Sequence, residues 1–593
     1  MRKCIATVSV SGTLPEKLSA IAAAGFDGIE LFENDLLACP LPPEEIRERV
    51  RDLGLLIDLY QPFRDFEAVP DERLAANLRR AEHKFQLMER LGADLLLVCS
   101  NVSPRAIGDD DLAAEHLRQL AVRAAEHGIR VAYEALAWGR HVSEYLHAWR
   151  IVRTADHPNL GVCLDSFHIL SRGSDPIGIE AIPGQKIFFV QLSDAPPLAM
   201  DVLQWSRHYR CFPGQGSFDL AGLTIHALNA GYTGPLSLEV FNDVFRQADA
   251  ARTAVDGMRS LIALEEALDG RTALPPPPEG FAFAELTMAD LRPVGELLRA
   301  LGFTHAGTHH SKPVELWAQG GARILLNAIG DEAELSAIGL QVADPASSVK
   351  RAEALLSPVL PRERDPEDAR LDAVAAPDGA QMFFCGTEEP PEWLAEFSPF
   401  SPAGSAPGVI THIDHVALTQ PLHYFDEAEL FYRTVLCLRP HERLDMPDPY
   451  GLVRSRAMSS PGGAVRMVLN VANVGALDVP WQHVALATGD IMAVARRLRE
   501  GLGGAGDIVL PIPGNYYDDL AARYDIGPAL GQLRELDILY DRDEHGEFLH
   551  LYTVTIGRVF FEIVQRIGGY DGYGAANAPV RLAAQHAQHA GAA

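Results

Sequence analysis

Along the first 270 positions, apolar residues come in short runs separated by longer stretches with helical periodicity. CIATVSV, DGIELF, LLIDLY, ADLLLVC, RVAYEAL, LGVCLD, IFFVQL and PLSLEV read as strands. Between most of them lie segments such as DERLAANLRRAEHKFQLMERLG and DDDLAAEHLRQLAVRAAEHG, apolar at helical spacing and closed by glycine. Eight apolar strands alternating with amphipathic helices predict an α/β fold, an N-terminal (β/α)8 TIM barrel over residues 1–270. A doubly wound open sheet is the rival. Neither G-x-G-x-x-G nor G-x-x-x-x-G-K-[ST] follows the first strand, which weakens it.

The pattern breaks at RTALPPPPEG, residues 271–280, where four successive prolines predict a stiff, extended linker. Beyond it the strands shorten and turns multiply. MADLRPVGELLRALGF and FDEAELFYRTVLCL open two stretches in the same way, predicting an α+β region of two repeated modules, 281–405 and 406–580. The last residues, 581–593 (RLAAQHAQHAGAA), are expected to form a fraying tail with His586 and His589 in solvent.

Composition narrows the function. A formal charge of −29 over 593 residues argues against nucleic-acid or anionic-membrane partners, so an anionic small molecule must be met by local arginines. The seven cysteines are scattered and form no C-x-x-C pair, which suits reduced thiols in a cytoplasm. MRKCIATVSVSGTL reads as a first strand rather than a signal peptide, and no apolar run is long enough to span a membrane.

In a barrel of this kind the chemistry sits at the C-terminal ends of the strands. Those ends carry Glu134, Asp165, Gln191 and Glu239 on strands five to eight. One polar residue at a strand end is usually a helix cap. Four oxygen donors on consecutive strands predict a cation, because three clustered carboxylates would otherwise force protonation. The all-oxygen set favours Mg²⁺ or Mn²⁺, with Co²⁺ possible. His168, three residues after Asp165, is placed to act as a general base. Arg64 follows strand three, and QWSRHYRCFPGQG supplies Ser206, Arg207, His208 and Arg210; an arginine suits bidentate capture of a carboxylate. In the second half THIDHVALT, PWQHVALATGDI and GRVFFEIVQR supply His415, His483 and Glu562. Two histidines and one carboxylate form a facial triad of the kind that holds non-haem Fe(II).

These motifs carry two resemblances. AAGFDGIEL, YEAL, LDSFH and FPGQGSFDL make the first 270 residues resemble the sugar-phosphate isomerase (xylose-isomerase-like) barrels, with Gln191 standing where that superfamily usually has a histidine ligand. LGFTHAGTHHSKPVELWAQGGARILLN, HVALATGDI, NYYDDL and FFEIVQRIGGYDGYG make most of 281–577 resemble hydroxyphenylpyruvate dioxygenase, a vicinal-oxygen-chelate protein whose first module carries no metal. His550 and Ala578 depart from that family's substrate shell, so the resemblance implies a bound divalent ion, Fe(II) or Mg²⁺, Mn²⁺ or Co²⁺ if not redox active, with little dioxygenase activity.

The two halves in this order resemble the bacterial two-domain 3-dehydroshikimate dehydratases of quinate and shikimate breakdown. The resemblance implies a hydro-lyase that turns 3-dehydroshikimate into protocatechuate through an enediolate. In that reading His168 removes the proton alpha to the ketone, while Arg210, Arg64 and Ser206 hold the carboxylate and ring hydroxyls. A sugar or inosose isomerase or epimerase is the alternative for the barrel, and a non-haem Fe(II) dioxygenase for the C-terminal region. A third reading makes that region an assembly module, in keeping with an expected homo-oligomer.

Overall fold

The computed structural model of the chain describes all residues except 271–273, 363, 367, 399–408, 473–480, 501–507 and 593. The chain divides into two compact units, Met1–Thr272 and Ala273–Ala593. The start of the proline linker and the junction expected at 405/406 lie outside the described residues, and 274–279 form neither helix nor strand.

The first unit is a closed, all-parallel barrel whose eight strands follow chain order, β8 pairing with β1. That closure excludes the doubly wound sheet. The strands are β1 (Lys3–Ala6), β2 (Gly28–Phe32), β3 (Leu56–Phe63), β4 (Leu95–Cys99), β5 (Arg130–Glu134), β6 (Leu160–Asp165), β7 (Ile187–Leu192) and β8 (Leu236–Leu238). Their continuous apolar character follows from burial on both faces, by helices outside and by other strands' side chains inside. The helices end where the sequence punctuates them. Asp71–Leu91 stops at Gly92, whose φ of +74° only glycine adopts freely, and Asp110–Glu126 starts on the Asp109 carboxylate, which accepts from the Leu112 amide at 3.0 Å.

Inside the barrel Cys4, Leu59, Leu95, Ala132, Cys163 and Phe189 pack as one buried cluster. Side chains alternate along a strand, so a residue two places on shares the same face. Ala132 therefore sets the direction of Glu134, Cys163 that of Asp165, and Phe189 that of Gln191. The pairing register adds that Asp165, Gln191 and Ser237 lie on one rung of β6, β7 and β8. The apolar plug thus ends in a ring of polar side chains at the barrel's C-terminal mouth.

A glycine loop closes one side of that mouth. The buried Asp194 carboxylate gathers the amides of Ala195, Gly214 and Phe218 at 2.8–2.9 Å, folding the loop around itself. A Cβ on Gly216 would collide with Asp194 Oδ1 and stand 2.5 Å from the Ala195 nitrogen and oxygen, so only glycine fits there.

The second unit holds two eight-stranded mixed sheets with one pairing plan. In the first, Gly280–Thr287 pairs parallel with Ala322–Asn327 and antiparallel with Glu334–Gln341. In the second, Ile410–Thr419 pairs parallel with Arg466–Ala472 and antiparallel with Gln482–Thr488. The two sheets are the repeated modules, in the vicinal-oxygen-chelate arrangement.

The tail differs from expectation. Ala578–Ala592 is a helix, with Leu582 in a buried cluster beside Met446 and Val453. His586 is not in solvent: its Nε2 lies 2.9 Å from Asp448 Oδ2, with its ring against Tyr450 and Trp481. Alanine-rich sequence is strongly helical, and Leu582 and His586, four apart, share the face that docks. His589 is exposed, as expected.

Replacing Gly216 by alanine is expected to destabilise the barrel by about 1–3 kcal/mol, because the loop must move off Asp194. Thermal melting checks this, and an unchanged melting temperature contradicts the close approach.

Candidate active site and metal centres

Five of the residues expected at the barrel mouth gather around the buried guanidinium of a sixth, Arg210. Arg210 Nη1 donates to Asp165 Oδ2 at 2.7 Å and to Glu239 Oε2 at 3.1 Å. Its Nε and Nη2 donate to Ser206 Oγ at 3.2 and 2.9 Å, and Nη2 lies 3.3 Å from His168 Nε2. The rings of Phe167 and Phe241 flank the guanidinium carbon at 4.6 and 5.5 Å. Glu134 Oε1 lies 3.7 Å from His168 Nε2, and Glu134, Asp165 and His168 form a group able to hold a metal ion. Local sequence produces this arrangement. Asp165 ends β6 and caps the short helix Ser166–Leu170 through the Phe167 and His168 amides, which fixes His168 one turn later. Helix Val202–His208, capped by Asp201, presents Ser206 four residues before Arg210.

The electrostatics are unbalanced. Glu134, Asp165 and Glu239 are all buried, and among the described residues Arg210 is the one permanent cation in hydrogen-bond contact with them. Burial and repulsion from Asp165 and Glu239 push the Glu134 carboxyl well above the usual range. Burial raises Glu239 to about 7 despite Arg210. Asp165 is also buried, yet Arg210 and His168 hold it below its ordinary value. Glu134 Oε1 has no hydrogen-bond partner among the described residues. Three carboxylates against one guanidinium leave two negative charges and an orphaned oxygen, the complement of one divalent cation with hard oxygen ligands.

Gln191 is turned toward a layer that sequence reasoning missed. Its Nε2 donates to Glu30 Oε2 at 2.6 Å, and Gln61 Nε2 donates to the same oxygen at 2.7 Å. Ser237 Oγ donates to Glu30 Oε1. Glu30 is fully buried, and burial followed by repulsion from Glu239 raises its pKa well above normal. The donation to Glu30 fixes the amide, and Gln191 Oε1 accepts from Cys163 Sγ at 3.3 Å. The signal was present in DGIELF: a lone glutamate inside an otherwise apolar strand.

Above these residues opens a cavity of about 460 Å³. Its lining includes Arg64, Trp138, Arg207 and Arg246 as well as the groups already named. Arg64 is where the sequence placed it, facing the cavity. Arg210 is not available as expected: its donors are spent on Asp165, Glu239 and Ser206, so it ties carboxylates together. Arg207 carries the signature of an unanswered cation, its pKa lowered by burial and by neighbouring Arg64 and Arg246. Trp138, overlooked in YEALAWG, sets its ring edge-on to His168 at 5.0 Å. His208 pairs with Asp243 at 2.8 Å on the rim.

His168 faces N–H donors on both ring nitrogens, Ala137 N at 3.2 Å from Nδ1 and Arg210 Nη2 at Nε2. Burial, Arg210 and Arg64 lower its pKa to about 3, although Asp165 opposes them. The ring is therefore neutral throughout the ordinary pH range.

In the second module His415, His483 and Glu562 come together as expected. His415 Nε2 lies 3.0 Å from Glu562 Oε2, and His483 Nε2 lies 3.2 Å from both His415 Nε2 and Glu562 Oε2. Register explains it: His415 and Glu562 flank Ala485 on one rung, and His483 is two residues from Ala485 on the same face. Arg566 orients Asp414, which accepts from His415 Nδ1 at 2.8 Å. His550 Nδ1 sits 2.7 Å from Glu562 Oε1, filling space beside the triad. His415 is held up to about 8 by Glu562 and Asp414 against burial, whereas burial takes His483 down to about 4. A third group able to hold a metal, His309, His310 and Asp368, lies in the first module.

Comparison with known proteins matches this architecture. Residues 18–263 match the family described as xylose isomerase-like TIM barrel, and 275–375 that described as hydroxyphenylpyruvate dioxygenase, HPPD, N-terminal. A 3-dehydroshikimate dehydratase of Pseudomonas putida is 46% identical over 100% of this chain and 99% of its own. The chain belongs to the 3-dehydroshikimate dehydratase family. A second family member, from Pseudomonas aeruginosa, is 47% identical over 98% of each chain. A solved xylose isomerase-like TIM barrel/4-hydroxyphenylpyruvate dioxygenase fusion protein superposes with a TM-score of 0.90 at 45% identity, covering 99% of both chains.

The His415 proton sets a test of the triad. To coordinate a metal, His415 must lose the proton it keeps below about 8, so metal uptake is favoured as pH rises. In a Glu134→Ala chain, Co²⁺ affinity at the triad is expected to increase about tenfold per pH unit from 6 to 8 and then level off. Titration at several pH values checks this; a flat response contradicts the assignment.

Proposed function

We propose that this chain dehydrates 3-dehydroshikimate to protocatechuate at the mouth of its barrel. The observation that carries the reading is the charge deficit of Glu134, Asp165 and Glu239 around Arg210, beneath a cavity sized for one six-membered-ring acid. Family membership supplies the substrate, and the alternatives, an isomerase or epimerase in the barrel or a C-terminal dioxygenase, are not favoured. Glu134, Asp165, Glu239 and Gln191 through Oε1 would hold the divalent ion, Mg²⁺, Mn²⁺ or Co²⁺ by their hardness. When bound there it supplies Lewis-acid polarisation of the substrate ketone.

The chain's own residues do the rest. Arg64 and Arg207, neither engaged in an ion pair among the described residues, grip the substrate carboxylate, the role first expected of Arg210. Arg210 and Ser206 keep Asp165 and Glu239 together. Trp138 steadies the His168 ring. A neutral imidazole can accept at only one nitrogen; the base form has its lone pair at Nε2, toward the carboxylates and the cavity, so the Ala137 amide at Nδ1 and Arg210 Nη2 at Nε2 give way as substrate binds. His168 Nε2 takes the proton alpha to the ketone and returns it to the departing beta hydroxyl, which leaves as water. Tautomerisation then yields the aromatic ring, so one water is lost and no oxidant is needed.

The second module holds its divalent ion, Fe(II) or a redox-inert equivalent, as a structural centre, because His550 occupies the space beside Glu562. The compartment is the cytoplasm, in keeping with seven free cysteines, and no helix among the described residues is long and apolar enough to cross a membrane. The pathway is quinate and shikimate breakdown, and the chain assembles with copies of itself.

Protocatechuate formation, followed by ultraviolet absorbance with metal at saturation, tests the reading; no product from 3-dehydroshikimate contradicts it. Arg64→Ala and Arg207→Ala are each expected to raise KM about tenfold or more with a smaller effect on kcat. His168→Ala is expected to lower kcat by about 10²–10⁴ with the ion still bound. Because the pKa of His168 is depressed to about 3, its base form persists as pH falls, so kcat should stay level from pH 7 to pH 5. A limb near 6.5 that disappears in the alanine variant contradicts this environment.

A further inference from the structure

The first module has the same strand register as the second, with different side chains at the metal positions. Phe283 pairs with Gly339 as His415 pairs with Ala485, and Gly339 pairs with Phe383 as Ala485 pairs with Glu562. Ala337, two residues before Gly339, corresponds to His483. The triad positions of the first module are therefore Phe283, Ala337 and Phe383. All three line a cavity of about 970 Å³. A Cβ on Gly339 would stand 2.5 Å from Phe283, so glycine there lets the ring lie against the sheet. Phe283 lies 5.7 Å from Phe383 and 5.2 Å from Trp393, forming an aromatic wall.

Three residues that line this cavity each carry a buried polar atom with no hydrogen-bond partner among the described residues: Asn327 Oδ1, Gln420 Oε1 and Trp393 Nε1. Gln420 and Trp393 are 2% and 4% exposed, so these are buried groups with an unmet need. Two acceptors and one donor among aromatic rings ask for a flat ring with two hydroxyls and an acceptor group. Arg362, over the Phe383 ring at 5.1 Å, adds a cation to the lining, as does Lys312, whose Nζ is paired with Asp368 at 3.2 Å.

We propose that the cavity of the first module is a binding site for a hydroxylated aromatic acid, its ring against Phe283 and Phe383, its hydroxyls donating to Gln420 and Asn327. The same fold thus offers a metal in one module and an aromatic platform in the other. The geometry stands independently of the barrel's reaction, which contributes only the choice of probe, since its product belongs to this chemical class.

The test uses the full-length Glu134→Ala/Arg64→Ala/Arg207→Ala chain, so that neither turnover nor carboxylate capture in the barrel intrudes, titrated calorimetrically with protocatechuate. One saturable site is expected. Trp393→Phe, which keeps the ring and removes only the N–H, and Gln420→Leu are each expected to weaken it about tenfold. Trp393→Phe should also abolish the fluorescence quenching that accompanies binding, while melting temperature confirms that each variant is folded. No heat and no quenching up to millimolar probe, or affinity unchanged in both variants, overturns the proposal. Turnover of the unsubstituted chain is measured separately, so failure of this site and failure of the barrel reading are told apart.

Discussion

Three carboxylates at the barrel mouth share a single guanidinium, and much of the surrounding structure serves to maintain that imbalance. Glu134, Asp165 and Glu239 are fixed by strand alternation above an apolar plug, so they cannot turn away into water. Arg210 neutralises one charge and is itself held by Ser206 and between two phenylalanine rings. Glu30 presents an acceptor below, to which Gln191 Nε2 donates, so the orientation of that amide is fixed. A buried excess of negative charge is tolerable only if protons or a cation supply the difference. The raised pKa values of Glu134 and Glu239 are the proton solution; a divalent ion is the other.

The barrel and the carboxylates clustered at its mouth were legible because both follow simple periodicities. Eight apolar runs with helical spacers specify the closed sheet, and a polar residue ending each late strand specifies the bowl. What escaped was the depth of the polar layer. Glu30 stands out as a lone glutamate in an apolar strand, but Gln61 and Ser237 look like ordinary strand residues, and only pairing across the barrel shows that the three converge. Arg210 was identified but its role was not, since sequence spacing says nothing about whether a guanidinium points at substrate or at neighbouring carboxylates. Trp138 reads as one more apolar residue after a strand. The tail was misjudged because small, polar composition was taken for disorder, whereas alanine favours helix and Leu582 and His586 supply a docking face.

The second unit shows how one backbone plan carries different chemistry. In both modules a small residue, Gly339 or Ala485, occupies the middle of the rung and leaves room for what its neighbours hold. Histidines and a glutamate around Ala485 make a group able to hold a metal; phenylalanines around Gly339 make an apolar wall. His550 beside Glu562 narrows the metal site, while the corresponding space in the first module opens into a cavity. The expectation of a first module without metal came from the resemblance to the dioxygenase family, and that resemblance says nothing about the room its side chains leave.

The account depends on an ion replacing protons among the barrel carboxylates. Crystals grown with Mn²⁺ and measured for anomalous scattering address it directly. The prediction is one strong peak bounded by oxygens of Glu134, Asp165, Gln191 and Glu239, with Gln191 Nε2 still on Glu30. No peak at that position, with Arg210 alone bridging Asp165 and Glu239 at saturating Mn²⁺, would contradict it.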